Sequence, residues 1–179
     1  MAVDSTLQYL KSENCDYDID AKGRIHIKGD LFVSSGQNDV HLDNVYSIDG
    51  ELTVCSGSKA CAPHLKKAMR LSLEGTLDAP SLGSAGHIIV TPDGALSAPS
   101  LKRVKDALFL SGSKSSNIDA LEKVGTLVLS GTHRLQLNQL QTVNQDIRLN
   151  EDSSLTAPRL ETVKQHILIA KMNAHASPR

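Results

Sequence analysis

A column of aliphatic residues recurs at a nearly constant spacing along most of the chain, and it limits the folds that the chain can adopt. Each member begins an L-x-L segment, and the successive spacings are 21, 19, 17, 20, 19, 20 and 20 residues. The column consists of Leu31, Leu52, Leu71, Ile88, Leu108, Leu127, Ile147 and Ile167. Internal repeats of this length indicate a solenoid, because one coil buries its apolar face only by stacking on the next coil.

Two further aliphatic columns stay in step with the first. The second is Leu42, Leu65, Leu82, Leu101, Leu121, Leu140 and Leu160, and the third, three residues later, is Val45, Ala68, Ala85, Val104, Val124, Val143 and Val163. A clear copy of the repeat, LSAPSLKRVKDALFLSG, starts at Leu96. Alternation in L-x-L predicts a strand with both Leu side chains inward. The proline of A-P cannot donate to a β ladder, so the opposite side is expected to be irregular or sparsely paired.

These patterns predict a mainly β protein, a single solenoid of about seven coils of 19–21 residues with a parallel sheet. Residues 1–22 are interpreted as an N-terminal cap, in which residues 5–12 form a short helix whose Leu7, Tyr9 and Leu10 cover the first coil. A strand pair around Lys28-Gly29-Asp30 then enters the solenoid, which spans residues 23–170. Residues 171–179 are expected to form a short flexible tail.

Composition and charge narrow the classes of partner and the compartment. Aromatic residues make up only 3% of the chain, which suits a narrow core of Leu, Val, Ile and Ala. The formal net charge of −1 gives no electrostatic reason to expect nucleic acid or an anionic membrane as a partner. We find no signal peptide and no apolar run as long as a membrane span. Cys15, Cys55 and Cys61 form no paired framework, and reduced thiols predict a cytoplasmic protein.

The L-x-x-V-x-x-x-L-x-L corner and the recurring A-P-x-L resemble the receptor L-domain and fungal cell-wall forms of the leucine-rich repeat. The passage ENCDYDIDAKGRIHIKGDLFV, with the S-G turns that follow it, is similar to short repeat proteins of bacterial and phage genomes. The resemblance covers roughly residues 23–170 and lacks the usual asparagine ladder, since only Asn150 closely follows an L-x-L strand. It implies a parallel sheet on one face and a binding role, and a phage-like protein of this kind would inhibit a host protein.

The outward residues of the L-x-L strands form the leading candidate binding surface. We expect protein binding through Phe32, Ile89, Phe109, Val128, Arg148 and Leu168, in a column that also contains Thr53 and Ser72. Both phenylalanines of the chain fall in this column, and the columns beside it are polar, as in an exposed interface. The column could instead reflect the strand propensity of β-branched and aromatic residues, or it could be covered by a terminal segment.

A second candidate is a basic corner. Lys66, Lys67 and Arg70 occupy one coil, Lys102, Arg103 and Lys105 occupy the coil two further on, and Gly83 and Ser84 lie between them. We interpret this corner as a solvated surface, because nucleic-acid contact would also require aromatic side chains for stacking and none interleave here.

The chemistry-bearing residues favour neither a metal site nor catalysis, so neither cofactor nor enzymatic activity is expected. His87 and His166 share a column four coils apart, and His26 and His41 lack a second ligand at metal spacing. Asp30 and Glu51 are the one adjacent acidic pair in their column, as a polysaccharide-cleaving β-helix enzyme would need.

Three functions are therefore considered. The first is a non-enzymatic module that binds another protein through its sheet. The second is a structural solenoid that associates with itself, as a homodimer or a filament, for which the uncovered Ile167 and Ile169 at the C-terminal end give a reason. The third, a polysaccharide-active enzyme, has the least support.

Overall fold

The computed structural model describes residues 2–37, 39–112, 116–131, 133–150 and 152–170, which form a β-solenoid of about seven turns with a parallel sheet and one short N-terminal helix. The predicted fold class is therefore confirmed. The elements are α1 (Ala2–Ser12), β1 (Tyr17–Ile19), β2 (Ile25–Ile27), β3 (Leu31–Val33), β4 (Val40–His41), β5 (Val45–Val54), β6 (Lys59–Cys61), β7 (Lys67–Leu73), β8 (Thr76–Asp78), β9 (Ser84–Val90), β10 (Ala95–Ser97), β11 (Arg103–Ser111), β12 (Lys123–Ser130), β13 (His133–Gln136), β14 (Thr142–Val143), β15 (Ile147–Asn150), β16 (Ser153–Thr156), β17 (Thr162–Val163) and β18 (Ile167–Ala170).

The L-x-L segments form the main sheet, which we call the long sheet. Its central strands run in the order β2-β5-β7-β9-β11-β12, and all are parallel. β12 pairs in turn with both β14 and β15 of the next coil. The predicted first column is in register throughout, as Leu31, Leu52, Leu71, Ile88, Leu108, Leu127, Ile147 and Ile167. Its members from Leu52 to Leu127 are fully buried, so identical layers of aliphatic side chains make the core.

The opposite side is more regular than the prolines suggested. β4, β6, β8 and β10 form a second parallel sheet, and β13 pairs with β16. These strands end before the A-P-x-L segment, which forms a turn instead: the Leu101 N–H donates to the Ala98 carbonyl at 3.0 Å, as the Leu65 N–H does to the Ala62 carbonyl at 3.2 Å. Proline thus occupies the second position of a β-turn, where its fixed φ is favourable and a ladder donor is not needed.

The predicted alignment of the first coil was wrong by three residues. Leu42 is equivalent to Ala62 rather than Leu65, because the Leu42 N–H donates to the Cys61 carbonyl just as the Ala62 N–H donates to Asp78 in the next coil. Ile48, not Val45, pairs with Ala68 in the third column. Leu42 and Val45 match the L-x-x-V pattern of the later coils, but the equivalent residues in the first coil are Val45 and Ile48.

The N-terminal end of the solenoid is covered. In α1, Leu10 is fully buried, and the Thr6 hydroxyl donates to the His41 carbonyl at 3.1 Å. The Tyr9 hydroxyl donates to the Phe32 carbonyl at 2.7 Å. β1 runs antiparallel to β2, whereas β2 and β3 do not pair with each other and both lie along β5. The predicted cap is therefore present, and the predicted strand pair is two segments of one coil.

The C-terminal end is open in the part of the chain that the structure describes. Ile147 is 2% exposed, but its partner in β18, Ile167, is 57% exposed and Ile169 is 62% exposed. The predicted tail, residues 171–179, lies outside the described residues. None of the described helices has the length and apolar character needed to cross a membrane.

Candidate binding surface

The predicted outward column lies in register across the long sheet. Pairing runs from Phe32 through Thr53, Ser72, Ile89, Phe109, Val128 and Arg148 to Leu168. In β9, β11 and β12 these residues are half-buried, while the residues on both sides of them in the sequence are more deeply buried. The inward and outward faces are therefore assigned correctly by the period-2 alternation.

The structure places five of the six predicted binding residues, Ile89, Phe109, Val128, Arg148 and Leu168, in consecutive strands, and the first three of them form an apolar group. Ile89, Phe109 and Val128 occupy the adjacent strands β9, β11 and β12, and we call them the outer apolar cluster. The His87 ring packs against Phe109 with a centroid separation of 5.4 Å and an interplanar angle of 31°. Three neighbouring strands place the cluster over about 10 Å of the sheet.

Of the other three predicted residues, Arg148 lies directly beside Val128, and the two apolar ones are separated from this cluster. Phe32 is 53% exposed but is separated from Ile89 by the strands that carry Thr53 and Ser72. Leu168, at 48% exposed, is separated from Val128 by Arg148. A single apolar stripe along the whole sheet is thus not present, and the cluster is bounded by polar side chains.

Charged pairs flank the outer apolar cluster at both ends of the sheet. Towards the N-terminus, the Arg70 guanidinium lies 3.7 Å from the Glu51 carboxylate. Towards the C-terminus, Arg148 donates to Asp146 at 2.8 Å, and this hydrogen bond holds the pKa of Asp146 below its usual range. Along the adjacent column the Ser111 and Ser130 hydroxyls are 2.8 Å apart. The surface is an apolar centre with a polar rim.

A groove that sequence reasoning missed lies at the bend where the long sheet begins. Between the third column and the residue that precedes L-x-L, β7 and β9 have one residue each, Met69 and Gly86, whereas β5 and β11 have two. The shorter bends leave a depression of about 390 Å³ between the longer ones. A Cβ atom on Gly86 would lie 2.4 Å from the Met69 carbonyl oxygen, so glycine is needed there.

The sequence did contain a signal for the groove. The third column and the start of L-x-L are three residues apart at Ala68 and at Ala85, but four apart at Ile48 and at Val104. A shorter bend with smaller inward residues indicates a local depression, because the solenoid surface follows the length of each bend.

Part of the predicted basic corner lines this groove. The side chains of Lys67, Arg103 and Lys105 line it, and all three residues are exposed. Lys67 and Arg103 are both in register with Ser84, so they stand on opposite sides of it. Lys102 is engaged elsewhere, with its ammonium group 3.4 Å from the Glu122 carboxylate.

The carboxylates and histidines considered for chemistry are held by structural contacts. Asp30 accepts the Glu51 backbone N–H at 2.7 Å, and Glu51 faces Arg70. His26 lies 2.8 Å from the Ser47 hydroxyl. Nearby, hydrogen bonding from Arg24 holds the pKa of Asp20 well below its usual range. Among the described residues, no group of three or more His, Cys, Asp or Glu side chains is positioned to hold a metal ion.

The three cysteines are free thiols. Burial raises the pKa of Cys15 and, in the same direction, that of Cys61. A raised pKa lowers the thiolate fraction and hence the nucleophilic reactivity of these side chains.

Fold and surface together define a capped parallel β-solenoid with an apolar cluster on its long sheet and a basic groove at one bend. Comparison of the chain with protein-family models, with curated proteins and with solved structures finds no match. The function is therefore argued from the surface itself.

Proposed function

We propose that this chain is a non-enzymatic repeat module that binds another protein through the outward face of its long sheet. The observation that carries the proposal is the apposition of Ile89, Phe109 and Val128 in three adjacent strands, within a polar rim. Protein interfaces have such an apolar centre and polar border. A rigid aromatic side chain at the centre, here Phe109, is the typical anchor of the binding energy.

The proposal is tested by replacing Phe109 with Asp. The outward position of Phe109 means that the variant should fold, with unchanged circular dichroism and a small shift in Tm, and should lose its partner because a carboxylate would be desolvated at the interface. A matched control is Gln136→Asp, which places the same side chain at an exposed position of β13, outside the long sheet.

The measurement is quantitative mass spectrometry of proteins retained by the immobilised chain. A partner retained by the wild type and by Gln136→Asp, but not by Phe109→Asp, supports the proposal. Equal retention by all three proteins contradicts it, and unfolding of Phe109→Asp would contradict the outward assignment of this side chain.

A second candidate function, self-association, is favoured by the exposed edge of β18. Ile167, Leu168 and Ile169 are among the most exposed large apolar side chains of the described chain. β18 is also the last strand described at its end of the sheet, and an edge strand presents unpaired backbone groups that can pair with a second copy. The N-terminal end is covered by α1 and β1, so a two-fold C-terminal dimer is favoured over a filament.

We also propose finer assignments of family, role, location and partner class. The relation to leucine-rich repeats rests on the A-P-x-L and L-x-L template, and the inhibition of a host protein by a phage or bacterial protein rests on the similarity of repeat style alone. A cytoplasmic location is supported by the free thiols, and protein rather than nucleic acid as the partner is supported by the formal net charge of −1.

A further inference from the structure

Three cationic side chains surround the groove without an anionic partner in the part of the chain that the structure describes. The ion pairs found there engage other cations, such as Arg70 with Glu51, and none involves Lys67, Arg103 or Lys105. Ser84 lies between Lys67 and Arg103 in the sheet, so these two strands are about 10 Å apart.

The acidic residues near the groove do not neutralise it. Asp49 is the one carboxylate among its lining residues, and its Oδ2 lies 3.8 Å from the ammonium group of Lys28. Asp106 follows Lys105 in the same bend and is exposed. Three cations therefore face one carboxylate that already has a cationic neighbour.

The floor of the groove is apolar. Ala68, Ala85 and Gly86 are buried beneath it, and Met69 is 59% exposed. Methionine is flexible and polarizable, so it adapts to an aliphatic side chain placed on it. An apolar floor with a cationic rim fits a ligand that carries carboxylates on either side of an aliphatic group.

We propose that this groove binds an acidic segment of the partner protein, in which an aliphatic side chain lies between carboxylates. This inference rests on the proposed function, because the groove and the outer apolar cluster share β9. Gly86 and Ile89 are three residues apart, about 10 Å along the strand, so one partner surface reaches both.

A protein segment fits the groove better than a nucleic acid does. Single-stranded nucleic acids bind where bases stack on aromatic side chains, and the lining residues contain no aromatic ring. The carboxylates of such a segment would pair with the exposed Lys and Arg side chains. Its aliphatic side chain, between the carboxylates, would cover the apolar floor and exclude water from it.

The probe is the blocked peptide acetyl-Glu-Leu-Glu-Leu-Glu-amide, titrated into the ¹⁵N-labelled full chain and followed by ¹H–¹⁵N NMR. We expect the amide resonances of Ala68, Met69 and Gly86 to shift, and the binding to weaken with added salt because the charges are exposed. The peptide in which glutamine replaces each glutamate should bind at least roughly fivefold more weakly.

Lys105→Glu and Lys164→Glu form a matched pair of variants. Each lysine directly follows a third-column valine at the bend of its coil, but Lys164 lies in the last coil, away from the groove. Lys105→Glu should weaken peptide binding roughly fivefold or more, since one attractive pair becomes repulsive, and Lys164→Glu should leave it unchanged. Equal binding of the glutamine peptide, or equal effects of the two variants, overturns the inference.

A (dT)₁₀ oligonucleotide is the competing probe. Tighter binding of this probe than of the acidic peptide at the same groove resonances would overturn the inference in favour of nucleic acid.

Partner retention by the variants Phe109→Asp and Lys105→Glu distinguishes a failure of this inference from a failure of the proposed function. Loss of the partner by Phe109→Asp but not by Lys105→Glu overturns the groove and leaves the proposed function standing. Groove shifts with the peptide, combined with partner retention that is indifferent to Phe109→Asp, contradict the proposed function instead. Loss of the partner by both variants supports both.

Discussion

Leu108 and Phe109 are neighbours in the sequence but belong to opposite faces of the same strand. Leu108 is fully buried and stacks between Ile88 and Leu127 in the adjacent coils. Phe109 lies on the outside, between Ile89 and Val128. A one-residue shift of register would exchange these roles, so each residue's position on the strand decides whether it contributes to stability or to binding.

Leu108→Ala should lower the free energy of unfolding by roughly 2–5 kcal/mol, because truncation leaves a cavity between two aliphatic layers that cannot collapse easily. Urea unfolding followed by circular dichroism measures the change. Leu168→Ala is the control, since Leu168 is 48% exposed and its truncation leaves no enclosed cavity. Similar losses in the two variants would contradict the layered core.

At the scale of elements, neighbouring coils are joined by side chains as well as by the backbone ladder. Asp146, directly before β15, is largely buried and contacts the next coil: its Oδ1 accepts the His166 backbone N–H at 3.2 Å and lies 3.4 Å from the His166 ring. Arg148 donates to the other carboxylate oxygen. These contacts favour the ionised form, and the Arg148 hydrogen bond is the largest cause of the lowered pKa of Asp146.

Asp146→Asn should therefore destabilise the protein at neutral pH. Since the folded-state pKa is below the ordinary value of 3.8, the stabilisation is fully present above pH 3.8 and is lost as the pH falls through the lowered folded pKa. The wild type and the variant should thus converge in stability in acid. Chemical denaturation between pH 7 and pH 2 measures this.

Asp152→Asn, at an exposed position in the neighbouring turn, is the control for this pH series. A stability difference between the wild type and Asp146→Asn that stays constant over the acid range would show that the carboxylate charge is not the cause.

At the scale of the whole molecule, the two ends of the solenoid differ. The first coil is closed by α1 and the antiparallel β1, whereas the last described coil leaves its core residues Ile167 and Ile169 exposed. Each coil of a solenoid buries its apolar face against the next coil. An uncovered terminal coil therefore exposes an apolar face on which a second copy would pack.

Ile169→Lys tests self-association through this end. If the chain forms a C-terminal dimer, the wild type should have the mass of a dimer by light scattering after size exclusion, and Ile169→Lys should be a folded monomer because the charge would be buried against its partner. Ile19→Lys makes the same change at the capped end, where Ile19 is 50% exposed. A wild-type monomer, or equal behaviour of both variants, contradicts this second candidate.

Much of the fold follows from local patterns in the sequence. The period-2 alternation of L-x-L and the recurrence near 20 residues predict the inward column from Leu31 to Ile167 and the outward column that contains Phe109, and both are in register in the structure. The alignment failed in the first coil because Leu42 and Val45 match the L-x-x-V pattern, whereas the equivalent pair in that coil is Val45 and Ile48.

By itself the sequence determined that the chain stacks into coils and which side chains point inward, because alternation and spacing are properties of consecutive residues. The order of the outward column also placed Ile89, Phe109 and Val128 in three adjacent coils and separated Phe32 from them by Thr53 and Ser72, and the strand register agrees. Only the tertiary structure decided where the basic groove opens, since a depression arises from the difference in bend length between coils. Residues some twenty positions apart become neighbours only after the coils have stacked, and their contacts depend on the register of whole strands.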